Sequence, residues 1–242
     1  ALLVDFYLKF KKQSLNPKST LVKTIVTNDL GAEIARKNGL NVVETLTGFK
    51  YIGDQITKYE KTGENEFLIG YEESYGYMLG DYVRDKDAVT ASLILTEMAA
   101  WYAVQGMTLF DALEALYRKY GFYGEKTHNL VMPGLDGLEK MAALMKSLRA
   151  DPPTHIAGVE VLRRKDYTDG SVIDCRTGER TAMELSGSNV LRYELADGTT
   201  ILVRPSGTEP KIKVYILTIG KDEAERDENL AKYSQWVATL TK

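Results

Sequence analysis

Apolar positions follow two rhythms along this chain. In the first half, short apolar runs alternate with helical stretches. Ala1-Leu2-Leu3-Val4-Asp5-Phe6-Tyr7-Leu8-Lys9-Phe10 reads as an amphipathic helix already under way. The β-branched run at 21–27 predicts a strand, and Asn28-Asp29 predicts the cap of a short helix ended by Asn38-Gly39. Further strands are predicted at 41–45 and, fully apolar, at 67–70. Between them Gly48-Phe49-Lys50-Tyr51-Ile52-Gly53 reads as a Gly-bounded loop, with a helix following at about 54–59. Strands alternating with helices predict an α/β domain with a mixed, largely parallel sheet. Residues 85–105 are apolar nearly all round and predict a buried helix. Thr108 and Asp111 approximate a capping box for the next helix, with Leu109, Phe110, Leu113, Leu116, Tyr117 and Tyr120 expected on one apolar stripe.

The second half reads differently. Leu138, Met141, Met145 and Leu148 mark an amphipathic helix that ends at Asp151-Pro152-Pro153. Strand signals follow at 158–167, 189–195, 199–204 and 211–219, with Asp197-Gly198 a hairpin turn between the second and third. A last helix is predicted over 222–240. This pattern predicts an α+β domain with a four-stranded antiparallel sheet and two helices. The expected domains are therefore 1–130 and 131–242.

Composition narrows the function. Of 242 residues, 44% are hydrophobic and 27% charged, which excludes general disorder. Lys and Arg number 31 against 34 Asp and Glu, a net charge of −3. With no global basic field, nucleic acid is not an expected partner, and an anion needs a local site. No apolar stretch suits a membrane span. A single cysteine, Cys175, excludes an internal disulfide framework and fits a reducing compartment, so a cytoplasmic location is expected. His128 and His155 lack ligand spacing, which leaves metal sites to carboxylates. The abrupt helical start, without Met or signal-peptide pattern, suggests a piece of a longer chain.

Four segments carry candidate chemistry. In Arg204-Pro205-Ser206-Gly207-Thr208-Glu209-Pro210, Arg204 offers a cationic fork for phosphate oxygens, and Ser206 and Thr208 offer hydroxyls. Gly207 lets backbone N–H groups approach an anion. Ile212, Val214 and Ile216 alternate inward in the next strand, so Lys211 and Lys213 share its other face. Gly70-Tyr71-Glu72-Glu73-Ser74-Tyr75-Gly76 follows an apolar strand at its carboxyl end, where α/β sheets place ligands. A carboxylate there can accept from neighbouring sugar hydroxyls, although a solvated turn has the same composition. Thr47-Gly48-Phe49-Lys50 follows the second strand. In Arg84-Asp85-Lys86-Asp87, the basic residues at a helix N-terminus need either the neighbouring Asp residues or a ligand anion. The Tyr117, Tyr120 and Tyr123 stretch is read as helical core, and Arg163-Arg164-Lys165 as a solvated edge.

Taken together and in order, these motifs resemble the α-D-phosphohexomutase superfamily, which includes phosphoglucomutases and phosphomannomutases. Thr47-Gly48-Phe49-Lys50-Tyr51-Ile52-Gly53 looks like that family's third-domain active-site edge, and Glu72-Glu73-Ser74 like its sugar-binding loop. Arg84-Asp85-Lys86-Asp87 looks like the segment with a substrate-contacting Lys, and Arg204-Pro205-Ser206-Gly207-Thr208 like the fourth domain's phosphate loop. The Glu-Glu-Ser-Tyr-Gly form is closer to the glucose/mannose type than to the phosphoglucosamine type. The resemblance implies that Thr47, Gly48, Phe49, Glu72, Ser74 and Lys86 bind sugar, and that Arg204, Ser206, Gly207, Thr208 and Lys213 bind phosphate.

The same resemblance covers only the third and fourth of four domains. A phosphoserine loop of the first domain and an Asp-Gly-Asp-x-Asp-Arg-like Mg²⁺ loop of the second are not found in these residues. The resemblance implies half of a mutase that interconverts hexose 1- and 6-phosphates through a bisphosphorylated sugar, with glucose 1,6-bisphosphate as intermediate or activator. No catalytic or metal-binding residue is expected in this half, and no turnover by it alone. Its expected partners are a hexose phosphate and the missing N-terminal domains, with Mg²⁺ belonging to the full-length protein. The alternative is a stand-alone sugar-phosphate-binding or regulatory protein without catalysis.

Overall fold

The computed structural model describes residues 1–241, the Lys12 side chain excepted. The chain forms two compact units, Ala1–Gly121 and Phe122–Lys242.

In the first unit, β1 (Ser19–Thr24), β2 (Asn41–Thr45), β3 (Glu66–Tyr71) and β4 (Tyr77–Leu79) form a sheet in the order β2-β1-β3-β4. β1 runs parallel to both β2 and β3, and β4 turns back antiparallel to β3. The crossovers are α2 (Leu30–Lys37) and α3 (Phe49–Thr62). The segment expected as a loop at Gly48–Gly53 is instead the first turn and a half of α3. Phe49, Ile52, Ile56 and Tyr59 keep helical spacing and bury against Val22, Phe67 and Met78, and that packing outweighs the glycines at either end. A second layer joins α1 (Leu2–Lys11), α4 (Ala88–Val104) and α5 (Leu109–Tyr120) around Phe6, Met98, Tyr102 and Ala112. Asn28 rather than Asp29 serves the start of α2: its Oδ1 accepts from the Leu30 N–H at 2.9 Å. The Thr108–Asp111 capping box of α5 is present as expected.

α4 departs from expectation in two ways. It begins at Ala88, because the Asp87 side chain accepts from the Val89 and Thr90 N–H groups. Nor is it a buried helix. Only Ala91, Met98 and Tyr102 are buried, while Val89 and Val104 are 82% and 89% exposed.

The second unit is an eight-stranded sheet. β5 (Phe122–Val131), β12 (Lys211–Gly220), β11 (Thr200–Pro205), β10 (Leu191–Leu195), β7 (Val159–Asp166), β8 (Ser171–Asp174) and β9 (Arg180–Ala182) succeed one another across it, and β6 (His155–Ile156) pairs with β7. Every pairing is antiparallel. The four expected strands are its middle, β12-β11-β10-β7, and four unforeseen ones extend it. β5 is an edge strand whose pairing to β12 places residues 122–130 with the second sheet, so Tyr123 lies on a strand rather than in helical core. Arg163-Arg164-Lys165 is not at an edge either, because β7 lies between β10 and β8. α6 (Gly137–Ala150) and α7 (Glu223–Val237) close one face over Tyr193, Ile201, Val203, Ile212, Val214 and Ile216.

Candidate functional sites in the two units

In the first unit, the chain leaves β1 to build β2 on one side and returns to build β3 on the other. The carboxyl ends of β1 and β3 therefore form a topological switch point, where open α/β sheets leave a crevice. Glu72 and Glu73 emerge there. The Glu72 N–H donates to the Gly76 carbonyl at 2.9 Å, which tightens the turn into β4. The Glu72 side chain is buried, and the Gly48 N–H donates to its Oε1 at 3.0 Å. Burial first, and then the neighbouring Glu73 charge, push the Glu72 carboxyl above the ordinary range, while Lys86 and the Gly48 bond act the other way. Lys86 lies 5.0 Å over the Phe49 ring and pairs with Asp85 at 2.8 Å. Gly48, Phe49, Glu72 and Lys86 are thus brought together. Thr47 adds a buried hydroxyl with no partner among the described residues, and Ser74 is exposed on the same turn.

The pairing explanation of the basic helix start is met in part. Lys86 uses Asp85, but Arg84 reaches Glu60 on α3 at 2.5 Å. Backbone contact fixes this segment as well. A Cβ on Gly53 of α3 would stand 2.6 Å from the Arg84 carbonyl oxygen, so only glycine permits the approach.

Sequence reasoning passed over the support beneath Glu73. The Thr24 and Thr27 hydroxyls lie 2.7 Å from each other and each 3.4 Å from Glu73 Oε2, so one donates to the other and the second donates to the carboxylate. Lys23 is 1% exposed and donates to the Thr27 carbonyl at 2.9 Å, with Asp29 at 2.8 Å and Glu44 at 2.9 Å. A lysine inside the run Leu21-Val22-Lys23-Thr24-Ile25 is the signal that could have flagged it, because a lysine is almost never fully buried unless paired.

In the second unit, the 206–210 loop joins β11 to β12. The Ser206 N–H donates to the Lys211 carbonyl at 2.8 Å, which closes the loop. The Thr208 N–H reaches Ser206 Oγ at 3.3 Å, and Lys211 pairs with Glu209 at 2.5 Å. The Met132 N–H donates to the Pro210 carbonyl at 2.8 Å. A Cβ on Gly137 of α6 would stand 2.1 Å from the Met132 carbonyl oxygen and 3.0 Å from Pro210 Cβ, so glycine is required there too. Ile212, Val214 and Ile216 do face the core, as the alternation predicts.

At the mouth of this loop Arg204 stands directly opposite Lys213 across the strand pair, with Asn129 beyond it on β5. Directly opposed residues share a face, and like charges so placed repel. Among the described residues neither side chain has an ion pair or hydrogen bond, and both are half-buried. Two cations held together, with the hydroxyls of Ser206 and Thr208 in the adjoining loop, suit an anion with several oxygens.

A sequence profile for phosphoglucomutase/phosphomannomutase α/β/α domain III matches residues 1–120, and the profile for the C-terminal domain matches residues 129–232. The chain belongs to the phosphoglucomutase/phosphomannomutase family. A phosphoglucomutase of Staphylococcus haemolyticus is 35% identical over 226 residues, which is 93% of this chain and 40% of that protein. This family member therefore spans about two fifths of its curated relatives. Among solved structures, the exocytosis-sensitive phosphoprotein parafusin (phosphoglucomutase) of Paramecium superposes with a TM-score of 0.64 at 17% identity, covering 99% of this chain and 40% of that one. A phosphoglucomutase/phosphomannomutase family protein of Burkholderia thailandensis gives 0.53 at 16% identity, covering 98% and 42%. Both share the fold.

Among the described residues there is no group of three or more His, Cys, Asp or Glu side chains that could hold a metal ion. No described helix is long and apolar enough to cross a membrane.

Proposed function

We propose that this chain is the sugar- and phosphate-holding half of a cytoplasmic phosphohexomutase. The full-length protein interconverts hexose 1- and 6-phosphates through a bisphosphorylated sugar, and this half alone does not turn over. The unpartnered Arg204–Lys213 pair carries the reading. A site that must take a phosphate from either end of the sugar needs to recognise the phosphate group rather than its attachment. Two opposed cations with Ser206 and Thr208 beside them do that, because their donors address oxygens only.

The first-unit cluster supplies the complementary chemistry. Glu72 keeps one carboxylate oxygen on the Gly48 N–H, and the other accepts from sugar hydroxyls. Ser74 and Thr47 add hydroxyls, Lys86 adds charge, and the Phe49 ring, with Lys86 above it, borders the group. The phosphoryl donor and Mg²⁺ are supplied by the portion of the relatives that this chain does not match.

Isothermal calorimetry with glucose 1,6-bisphosphate tests the proposal. The 242-residue chain binds it, and Arg204→Ala weakens binding by about 1.5–3 kcal/mol, the worth of a charge-assisted bond. Unchanged affinity in that variant removes Arg204 from the site. Robust mutase turnover by the chain alone refutes its role as a non-catalytic half.

A further inference from the structure

A cavity of about 130 Å³ opens in the second unit, away from the 204–208 loop. Leu148, Ile173, Leu191 and Tyr193 give it an apolar wall, and Arg149, Arg164 and Arg180 reach its surface. Strand register separates it from the phosphate loop. Tyr193 opposes Arg164 on one side and Ile201 on the other, so these three side chains share the helix-covered face. Arg204 lies three residues beyond Ile201 on β11 and therefore projects from the opposite face.

The charges on the cavity wall are matched except for one. Arg149 donates to both Asp166 oxygens at 2.7 and 3.2 Å, and also to Thr168 and Asn189. Lys165 pairs with Glu194 at 2.7 Å, on the far face. Arg180 pairs with Asp169 at 2.7 Å in an exposed contact that a ligand can draw on. Arg164 is half-buried, and among the described residues its guanidinium has no ion pair or hydrogen bond. Its positive charge acts on the Tyr193 hydroxyl within the cavity.

A guanidinium at the cavity surface with no acceptor among the described residues leaves its N–H donors to an anion's oxygens. The apolar wall asks for an apolar body attached to the anion. A comparable cavity of about 150 Å³ takes up benzene, which sets the scale at one six-membered ring. We propose that this cavity is a second ligand site, for a small organic anion with one ring-sized apolar body and a single carboxylate or phosphate. Arg164 holds the anionic head and Arg180 assists. The proposal does not depend on hexose phosphate binding at the other loops.

Methyl NMR of the 242-residue chain tests it, with benzoate and phenyl phosphate as probes and benzyl alcohol and inorganic phosphate as controls. The expected result is saturable movement of the Ile173 and Leu191 methyl signals with one or both aromatic anions, and much weaker effects from either control. Whichever anion binds more tightly identifies the head group. Arg164→Ala and Arg164→Gln each weaken that binding about tenfold or more, as expected for a lost charge-assisted bond. Should one variant fail to fold, the other carries the test. Arg204→Ala leaves the cavity affinity unchanged. The proposal is overturned if those methyl signals stay still, if benzyl alcohol binds as well as the anions, if removal of Arg164 has no effect, or if removal of Arg204 abolishes the response.

Discussion

In the first unit the groups at the candidate site have already found one another. Glu72 receives the Gly48 N–H at 3.0 Å, Lys86 is held by Asp85 at 2.8 Å, and Glu73 rests on two threonine hydroxyls. In the second unit Arg204 and Lys213 stand opposite each other across β11 and β12. The charged groups of the first loop are bonded, whereas the two opposed cations beside the second have no ion pair or hydrogen bond among the described residues. The contrast fits their proposed tasks. Sugar hydroxyls are neutral and are read by groups already fixed in direction, whereas a phosphate is worth most to cations that have no other partner.

Each loop is also seated on a helix glycine, which gives a way to break one site while sparing the other. Gly137→Ala drives a Cβ into the Met132 carbonyl and Pro210. Overpacking of about 1–3 kcal/mol should exceed the roughly 1 kcal/mol that alanine gains in a helix. The expected outcome is a lower Tm and weaker bisphosphate binding, read by thermal unfolding and calorimetry. Gly53→Ala meets the Arg84 carbonyl at a less severe 2.6 Å, so its loss of Tm is smaller. It displaces Lys86 and leaves binding of inorganic phosphate at the second loop unchanged. If the two variants affect both loops alike, the division of labour is wrong.

A smaller effect separates the two loops by pH. The folded chain holds the Glu72 proton more tightly than the unfolded chain does, because burial raises its carboxyl. Ionised Glu72 therefore costs stability above its raised value, and the cost vanishes below the ordinary carboxylate range. Glu72→Gln keeps an oxygen for the Gly48 N–H and removes the charge. It should raise Tm slightly at neutral pH, with the gain over the parent shrinking as the pH falls through the carboxylate range. A gain that persists in acid would contradict the assignment.

The sequence foretold the two loops better than the structure around them. Asn41–Thr45 was legible to the residue, because β-branched residues bounded by polar ones leave one reading. Strand β5 was not, since an edge strand carrying Glu125, Lys126, His128 and Asn129 shows no apolar alternation. The exposure of α4 was hidden for the converse reason: periodicity records apolar residues, not whether anything covers them. Arg204 and Lys213 were both legible as cations. Their direct opposition was not, because register depends on where β12 begins after the loop. The same holds for Glu72, whose motif was plain but whose Gly48 partner lies 24 residues away.

The central claim is that the second loop keeps two like charges opposed for the sake of a phosphate. Thermal unfolding of Lys213→Gln at low salt, with and without glucose 1,6-bisphosphate, tests it most directly. Removing the repulsion should stabilise the ligand-free chain by about 0.2–1 kcal/mol, the range of a cross-strand pair. The same variant should lose most of the Tm rise that the bisphosphate gives the parent. A ligand-free variant less stable than the parent, or one whose ligand-induced rise is undiminished, would contradict the account.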